Sequence, residues 1–364
     1  MTDFTLGVLL PSSSILPMAK RFKSGLKRAA KEVGIEQMEL EFIGNGNPRL
    51  VEEVMRKMTE FHEVDAITGI VSNQTLAFCS KVFESAGVPI VVNNLGGHLP
   101  ELKDLPNNVF INSDHIWQQM WSLGYWGTEK FGSKGMLVGG VYDMAYNFTK
   151  AMDLGMKKAN PDSKWSFAVT RLPQGVDNLS DPSVVLDYIE KDSPDFLIAA
   201  FCGEEARLFM EGFINRKLHQ KVPLLGLPYL LRDLSFEPEE AFKVYSTTLT
   251  MGASQPQEVN WFNGDVFEAL GYESGVLLGA SRDGGGVLQL SGIEINSSRG
   301  SFVPSKALRG EESVIHLVEH LYKGKVASTQ STLGRQLRTA ALHELNIPHS
   351  NMVDSGWFNP YLGL

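Results

Sequence analysis

The chain has 364 residues, of which 43% are hydrophobic and 21% charged, and a formal net charge of −9. Its length exceeds what a single core comfortably fills, so two domains are expected, and no tract is polar or biased enough to stay unfolded. The acidic balance argues against nucleic acid or an anionic membrane as partner, because both recruit clustered Lys and Arg, and no apolar run approaches the roughly 20 residues of a membrane helix.

The first hundred residues alternate short β-rich runs with amphipathic helical stretches, the pattern of a parallel sheet covered by helices on both faces. Phe4 to Leu10 reads as the first strand, closed by Pro11. Ser12-Ser13-Ser14 then forms a loop into a helix from about Leu16 to Val33. Strand Met38 to Ile43, helix Pro48 to Phe61, strand Asp65 to Gly69, helix Gln74 to Ala86 and strand Pro89 to Asn93 follow. A short strand at Val109 to Ile111 and a long helix from Asp114 to Phe131 open a second series. Its strands fall at Gly135 to Val141, Trp165 to Thr170, Phe196 to Phe201 and Val222 to Leu227, with helices near Ala145 to Ala159, Pro182 to Glu190 and Glu204 to Arg216.

Past Tyr245 the plan changes. Strand Tyr245 to Thr250, a helix from Gln257 to Ala280 and the segment Gly292 to Pro304 leave too few strands for a third domain, so they must complete the earlier units. The expected fold class is α/β: two doubly wound parallel-sheet lobes joined by a three-strand hinge. The first lobe takes 1–115 and 251–325, the second 116–250 and 326–364. The chain then crosses near 112–117, 250 and 325, with a cleft between the lobes. The tail from Thr332, ending in Trp357-Phe358-Asn359-Pro360-Tyr361, is expected to pack on the second lobe. Cys79 and Cys202 are the only cysteines and fall in different units, so two reduced or buried thiols and no disulfide are expected. Met1-Thr2-Asp3-Phe4 leads straight into a strand without a signal peptide, so either the protein is cytosolic or a leader was removed and replaced by an initiator Met.

In an open α/β sheet, ligands collect at the carboxyl ends of the strands, where loops and helix N-termini present N–H groups. Ser72 and Asn73 follow the third strand, Ser13 and Ser14 the first, and Asn93 and Asn94 the fourth. From the second lobe Tyr142, Tyr146, Cys202, Glu204 and Tyr229 take equivalent positions, where aromatic walls and one acid would suit an ammonium-bearing ligand. Each residue also has a purely structural reading. Ser72 and Asn73 would cap the following helix, Ser13, Ser14, Asn93 and Asn94 would form turns, and the tyrosines would pack. Glu204 would sit in a first helical turn favoured by the dipole alone.

The runs Leu6-Gly7-Val8-Leu9-Leu10-Pro11, Asp65 to Asn73, Ala86-Gly87-Val88-Pro89-Ile90, Val141-Tyr142-Asp143, Ala200-Phe201-Cys202-Gly203-Glu204 and Ala269-Leu270-Gly271-Tyr272-Glu273 follow one another along the chain. In this order and spacing they resemble the type I periplasmic binding proteins, in the branch of the leucine/isoleucine/valine-binding proteins of ABC importers. At Asn93-Asn94-Leu95 the chain departs from the Ser or Ala followed by Thr usual in those binders. The resemblance implies a monomeric, non-catalytic solute-binding protein that closes around an amino acid or related small polar ligand and delivers it to an ABC permease. It implies no cofactor and a periplasmic location with the signal peptide removed. The alternative keeps the fold but makes the chain a cytosolic sensor regulating a partner protein, as amide receptors do; an enzyme on the same scaffold is a third reading.

Catalytic strings are weak. His316-Leu317-Val318-Glu319-His320 fits the H-x-x-E-H spacing of a zinc-peptidase helix, but Val314, Ile315, Leu317, Val318, Leu321 and Tyr322 are expected to form that helix's apolar stripe and leave the two His and the Glu solvated. Gly44-Asn45-Gly46 lacks the third glycine of a dinucleotide fingerprint, and the chain contains no phosphate-binding G-x-x-x-x-G-K-[ST] and no G-x-S-x-G.

Overall fold

In a computed structural model of the chain, the described residues are 4–12, 17–100, 105–140, 144, 146–170, 181–230, 241–250, 265–281, 294–305, 310–311, 314–322 and 330–340. Short apolar runs bounded by turn residues become parallel strands, and the amphipathic stretches between them become the crossover helices. The order begins β1 (Thr5–Leu10), α1 (Met18–Val33), β2 (Gln37–Phe42), α2 (Pro48–Arg56), β3 (Ala66–Ile70), α3 (Asn73–Phe78), α4 (Ser80–Ser85), β4 (Ile90–Asn94) and β5 (Val109–Ser113). A second series follows with α5 (Ile116–Phe131), β6 (Lys134–Gly139), α6 (Phe148–Ala159), β7 (Lys164–Val169), α7 (Ser183–Asp192), β8 (Phe196–Ala200), α8 (Gly203–Asn215), β9 (Leu224–Gly226) and β10 (Phe242–Thr250). The remainder is α9 (Asp265–Ser281), β11 (Ile295–Ser297), β12 (Gly300–Phe302), β13 (Pro304–Ser305), β14 (Gly310–Glu311), β15 (Val314–Tyr322) and β16 (Gln330–Gln336).

These elements form two compact units. The first draws on Met1–His115 and Leu249–Ser313, the second on Ile116–Thr248 and Val314–Trp357. Each holds one seven-stranded sheet, ordered β13-β14-β5-β4-β3-β1-β2 in the first and β16-β15-β10-β9-β8-β6-β7 in the second. Strands β1 to β5 run parallel, as do β6 to β10. Each unit is thus an open, mostly parallel α/β sheet wound in both directions from its first strand, and the late elements do complete the earlier units. In both sheets the strand order reverses beside the first strand of the series, between β1 and β3 and between β6 and β8.

In each unit one helix pair packs backbone to backbone, and glycine makes that possible. A Cβ on Gly25 of α1 would lie 1.8 Å from the Glu268 carbonyl oxygen of α9, and one on Gly271 of α9 would lie 2.1 Å from the Phe22 carbonyl oxygen of α1. In the second unit a Cβ on Gly155 of α6 would lie 2.1 Å from the Trp121 carbonyl oxygen of α5. The opposite faces are closed by side-chain cores: Leu9, Val54, Met58, Ile67 and Phe83 in the first unit, and Met136, Ile189, Leu197, Phe209 and Phe213 in the second.

Several expectations are corrected. The third crossing falls between Ser313 and Val314, not near 325, so 314–325 does not belong with the first lobe. The cause is that Val314 to Tyr322 is not a helix: it is strand β15, lying between β10 and β16. Ile315 and Leu317 alternate into the core as strand residues do, but a register shift between His316 and Val318 interrupts the alternation, and the apolar residues at 314, 315, 317, 318, 321 and 322 fall at a spacing that imitates a helical stripe. His320 is not on a solvated face. Burial takes its imidazole down to about 4, and its Nε2 hydrogen-bonds the Ser246 hydroxyl at 2.7 Å. Among the described residues no group of three or more His, Cys, Asp or Glu is placed to hold a metal, and no helix is long and apolar enough to cross a membrane.

Smaller differences concern helix ends. The helix expected over 74–86 breaks at Cys79 into α3 and α4, and the one over 48–61 finishes in a π-helical turn from Lys57 to Phe61. The helix expected from Gln257 is described from Asp265, while Gln257 itself and the Trp357 to Tyr361 tail lie outside the described residues. Cys79 and Cys202 are both free thiols, and burial, with a smaller contribution from Glu52, pushes the Cys79 thiol up to about 12.

The Gly25 contact is backbone against backbone, so an added methyl has no side chain to displace. Gly25→Ala is expected to lower stability by about 3 kcal/mol, net of the helix-propensity gain of about 1 kcal/mol. Urea unfolding of the variant beside Ser24→Ala, an exposed position of the same helix, checks this; equal losses at both sites would remove the close-packing argument.

Candidate functional site

The strand ends of the first unit carry most of the polar side chains named from the sequence. Ser72 precedes α3 and caps it, its Oγ accepting from the Thr75 amide at 3.0 Å while its hydroxyl donates to Thr75 Oγ1 at 3.0 Å. Thr75 Oγ1 in turn donates to the Gly46 carbonyl. Asn73 donates from Nδ2 to the His98 carbonyl at 2.8 Å, and its Oδ1 accepts from Asn94 Nδ2 at 2.7 Å. Asn94 also donates to the Val71 carbonyl, and its Oδ1 accepts from the Gly96 amide and the Ser113 hydroxyl. Asn93 turns inward: Nδ2 donates to Thr68 Oγ1 and the Gly69 carbonyl, and Oδ1 accepts from Asn112 Nδ2 and Ser274 Oγ.

Three of the named asparagines are therefore brought together, and all three are buried. Their amides bridge the carboxyl ends of β3, β4 and β5 where backbone groups would otherwise lack partners. Gly96 completes the loop at φ +74°, with room for no Cβ, because one would lie 2.8 Å from His115 Cα.

Beside this network lies an ionic cluster that the sequence did not reveal. The Arg299 side chain, 2% exposed, donates from Nε to Glu273 Oε1 at 3.1 Å and from Nη2 to Glu273 Oε2 at 2.5 Å and Asn112 Oδ1 at 2.9 Å. Its Nη1 donates to the Ser113 carbonyl at 3.0 Å and to Asp114 Oδ1 at 3.2 Å. Asn112 Nδ2 returns a bond to Glu273 Oε2 at 3.0 Å. Two buried carboxylates thus share one guanidinium. Burial pushes the Asp114 carboxyl up to about 6, against the opposing pull of Arg299.

In the second unit Tyr146, Cys202, Glu204 and Tyr229 stand at the corresponding end of the sheet. Tyr146, buried, lies with its ring centroid 5.2 Å from that of Phe148. Cys202, half-buried, stands at the N-cap of α8, and Tyr229 is buried just after β9. Glu204 is exposed and paired with Arg207 of the same helix, whose hydrogen bonds hold its carboxyl below the usual range. Ser13, Ser14 and Tyr142 lie outside the described residues.

A family profile described as periplasmic binding protein matches residues 3–273. No curated protein sequence matches the chain. Among solved structures, an ABC transporter substrate-binding protein from Sphaerobacter thermophilus is 18% identical with a TM-score of 0.68, covering 92% of this chain and 98% of its own. An ABC transporter solute-binding protein from Rhodopseudomonas palustris, in complex with 3,4-dihydroxybenzoic acid, is 14% identical with a TM-score of 0.62, covering 93% and 97%. A branched-chain amino acid transporter substrate-binding protein from Streptococcus pneumoniae, in complex with isoleucine, is 14% identical with a TM-score of 0.59, covering 91% and 100%.

The Asp114 shift fixes a pH dependence. Its folded value of about 6 lies above the ordinary 3.8, so the native chain binds more protons than the unfolded one between those values, and stability falls as pH rises through that window. Asp114→Asn lacks this titration. The stability of the variant minus that of the parent is expected to grow by up to about 3 kcal/mol between pH 4 and pH 7, two units at about 1.4 kcal/mol each. Urea unfolding of both proteins across that range tests it, and a pH-independent difference would contradict it.

Proposed function

The chain belongs to the periplasmic binding protein family, and from that premise we infer that it is an extracytoplasmic solute-binding protein of an ABC importer, gripping an amino acid or a related small carboxylate with the strand-end loops of both units by hinge closure. The observation that carries this reading is the doubled switch point. Each sheet reverses its strand order once, between β1 and β3 or between β6 and β8, and ligands of open α/β sheets gather outside the strand ends there. Ser13, Ser14, Ser72 and Asn73 flank the first reversal in sequence; Tyr142, Tyr146 and Cys202 flank the second. Tyr229 and Glu204 belong to the same end of the second sheet, while Asn93 and Asn94 shape the first unit's loop from beneath.

The ligands of two related structures support that ligand class. Isoleucine and 3,4-dihydroxybenzoic acid, bound in those structures, share a carboxylate on an apolar body. Backbone N–H groups and hydroxyls suit that carboxylate, and tyrosines suit the body. Such a receptor works as a monomer, needs no cofactor, performs no catalysis and meets a membrane permease as its protein partner.

Thermal unfolding with a panel of leucine, isoleucine, valine, benzoate, 4-hydroxybenzoate and 3,4-dihydroxybenzoate tests the reading. A ligand present at roughly a thousand times its Kd adds about 4 kcal/mol, a shift of several degrees for units of this size. One or more compounds is expected to give that shift, with the amino acids ahead. A melting temperature that moves with no member of the panel counts against a carboxylate receptor.

A further inference from the structure

Arg299 sits where two parts of the first unit meet: the segment Ser113-Asp114-His115, which ends at the boundary between the units, and the loop Asn93–Gly96. Its guanidinium grips that segment twice, through the Ser113 carbonyl and Asp114 Oδ1, while Glu273 of α9 and Asn112 of β5 hold its other donors. The segment is tied to the loop by two further bonds, the Ser113 hydroxyl to Asn94 Oδ1 at 2.7 Å and the Asp114 amide to the Asn94 carbonyl at 3.2 Å, and within the loop the Gly96 amide donates to the same Asn94 Oδ1 at 2.9 Å. His115 takes φ +47°, a conformation that costs a non-glycine residue on the order of 1–3 kcal/mol and persists only where its surroundings hold it. Here Ser113 Oγ accepts its amide at 3.1 Å, and Gly96 lies against its backbone.

We propose that Arg299 is a positioning residue for ligand binding, which clamps the outgoing segment Ser113–His115 and, through Asn94, sets the shape of the loop Asn93–Gly96 without touching ligand. The clamp needs a planar fork with five donors, all of them engaged here. Lysine offers three donors on a point charge and cannot span the same acceptors. A buried cation held by two acids and two backbone-linked partners adds little net stability compared with an apolar cluster of the same volume. Its physical effect is to make one arrangement of the outgoing segment the only one that leaves no charge unpaired.

The inference rests on the solute-binding reading for its consequence and on the unit's own geometry for the clamp, so the test has two arms. In the first, hydrogen exchange of the full ligand-free chain is compared for the parent and Arg299→Gln. Amides over 94–97 and 112–116 are expected to exchange roughly tenfold faster, with β1 and β3 amides unchanged. No acceleration there, or an equal acceleration through β1 and β3, overturns the clamp and leaves Arg299 an ordinary core residue. If Arg299→Gln does not fold, Asp114→Asn replaces it: this near-isosteric change is expected to give a smaller acceleration confined to the same amides, and its absence overturns the proposal equally.

In the second arm, the compound that most stabilises the parent is titrated calorimetrically into both proteins below their unfolding temperatures. Its Kd is expected to rise roughly tenfold in the variant, and an unchanged Kd overturns the positioning role. Should no compound of the panel bind the parent, the solute-binding reading fails on its own, and the positioning role, which depends on it, falls too; the exchange arm still decides whether the clamp exists.

Discussion

Helix α9 lies so close to α1 that carbonyl oxygens of each would collide with a methyl group on the other. No contact between residues neighbouring in sequence can substitute for this, because α1 belongs to the opening βα series and α9 arrives some 240 residues later, as the Arg28 to Glu268 and Glu32 to Tyr272 pairs record. Without α9, α1 and strands β3, β4 and β5 lose the helix packed against them. The chain must therefore leave the unit, build a second sheet and come back, and the same return delivers Glu273 and Ser274 to the strand ends of β4 and β5. The close approach of two helices thus accounts for both the discontinuous unit and the polar cluster at its edge.

The cluster follows from what α9 brings. Glu273 is fully buried beside Ser274, in a helix whose other buried residues are apolar or glycine, and a buried carboxylate needs a cation beside it. Arg299, carried on the β11–β12 hairpin, is that cation. Asp114 is the second acid, less fully compensated, and its raised proton affinity is the residue of that imbalance. Asparagine amides extend the network across three strand ends because each can donate to one carbonyl while accepting from the next residue. A loop that looks from its composition like a ligand surface is in this way largely an internal scaffold.

Much of the architecture was legible because it is local. Parallel strands such as Ala66–Ile70 and Phe196–Ala200 are short apolar runs with turn residues at both ends, and the repeated order of two series forces two sheets. Ser72 could be read as a helix cap from its place before α3, and it is one. The failures are non-local or aperiodic. Strand β15 reads as a helix in sequence because its apolar residues fall at helical spacing across a register shift, and the position of the third crossing depends on that element. The Arg299 cluster joins residues 26, 185 and 187 positions apart, and no periodicity links them; the one local signal was an acid, Glu273, on the buried side of an apolar helix.

The segments that end each unit's parallel series are held by different physics, and the difference has a consequence. At the end of the first series the grip is ionic, a guanidinium on Asp114 and the Ser113 carbonyl. At the end of the second series, Thr247 of β10 donates to Gln119 Oε1 of α5 at 2.7 Å and Ser246 meets a neutral imidazole. Both sites are buried, so salt screens neither strongly. Protons distinguish them: burial pushes the Asp114 carboxyl of the first up to about 6, whereas the second has a histidine already neutral there and three groups that do not titrate. Mildly acidic conditions therefore change the charge of the ionic segment, by protonating Asp114, while the groups named at the neutral one keep theirs.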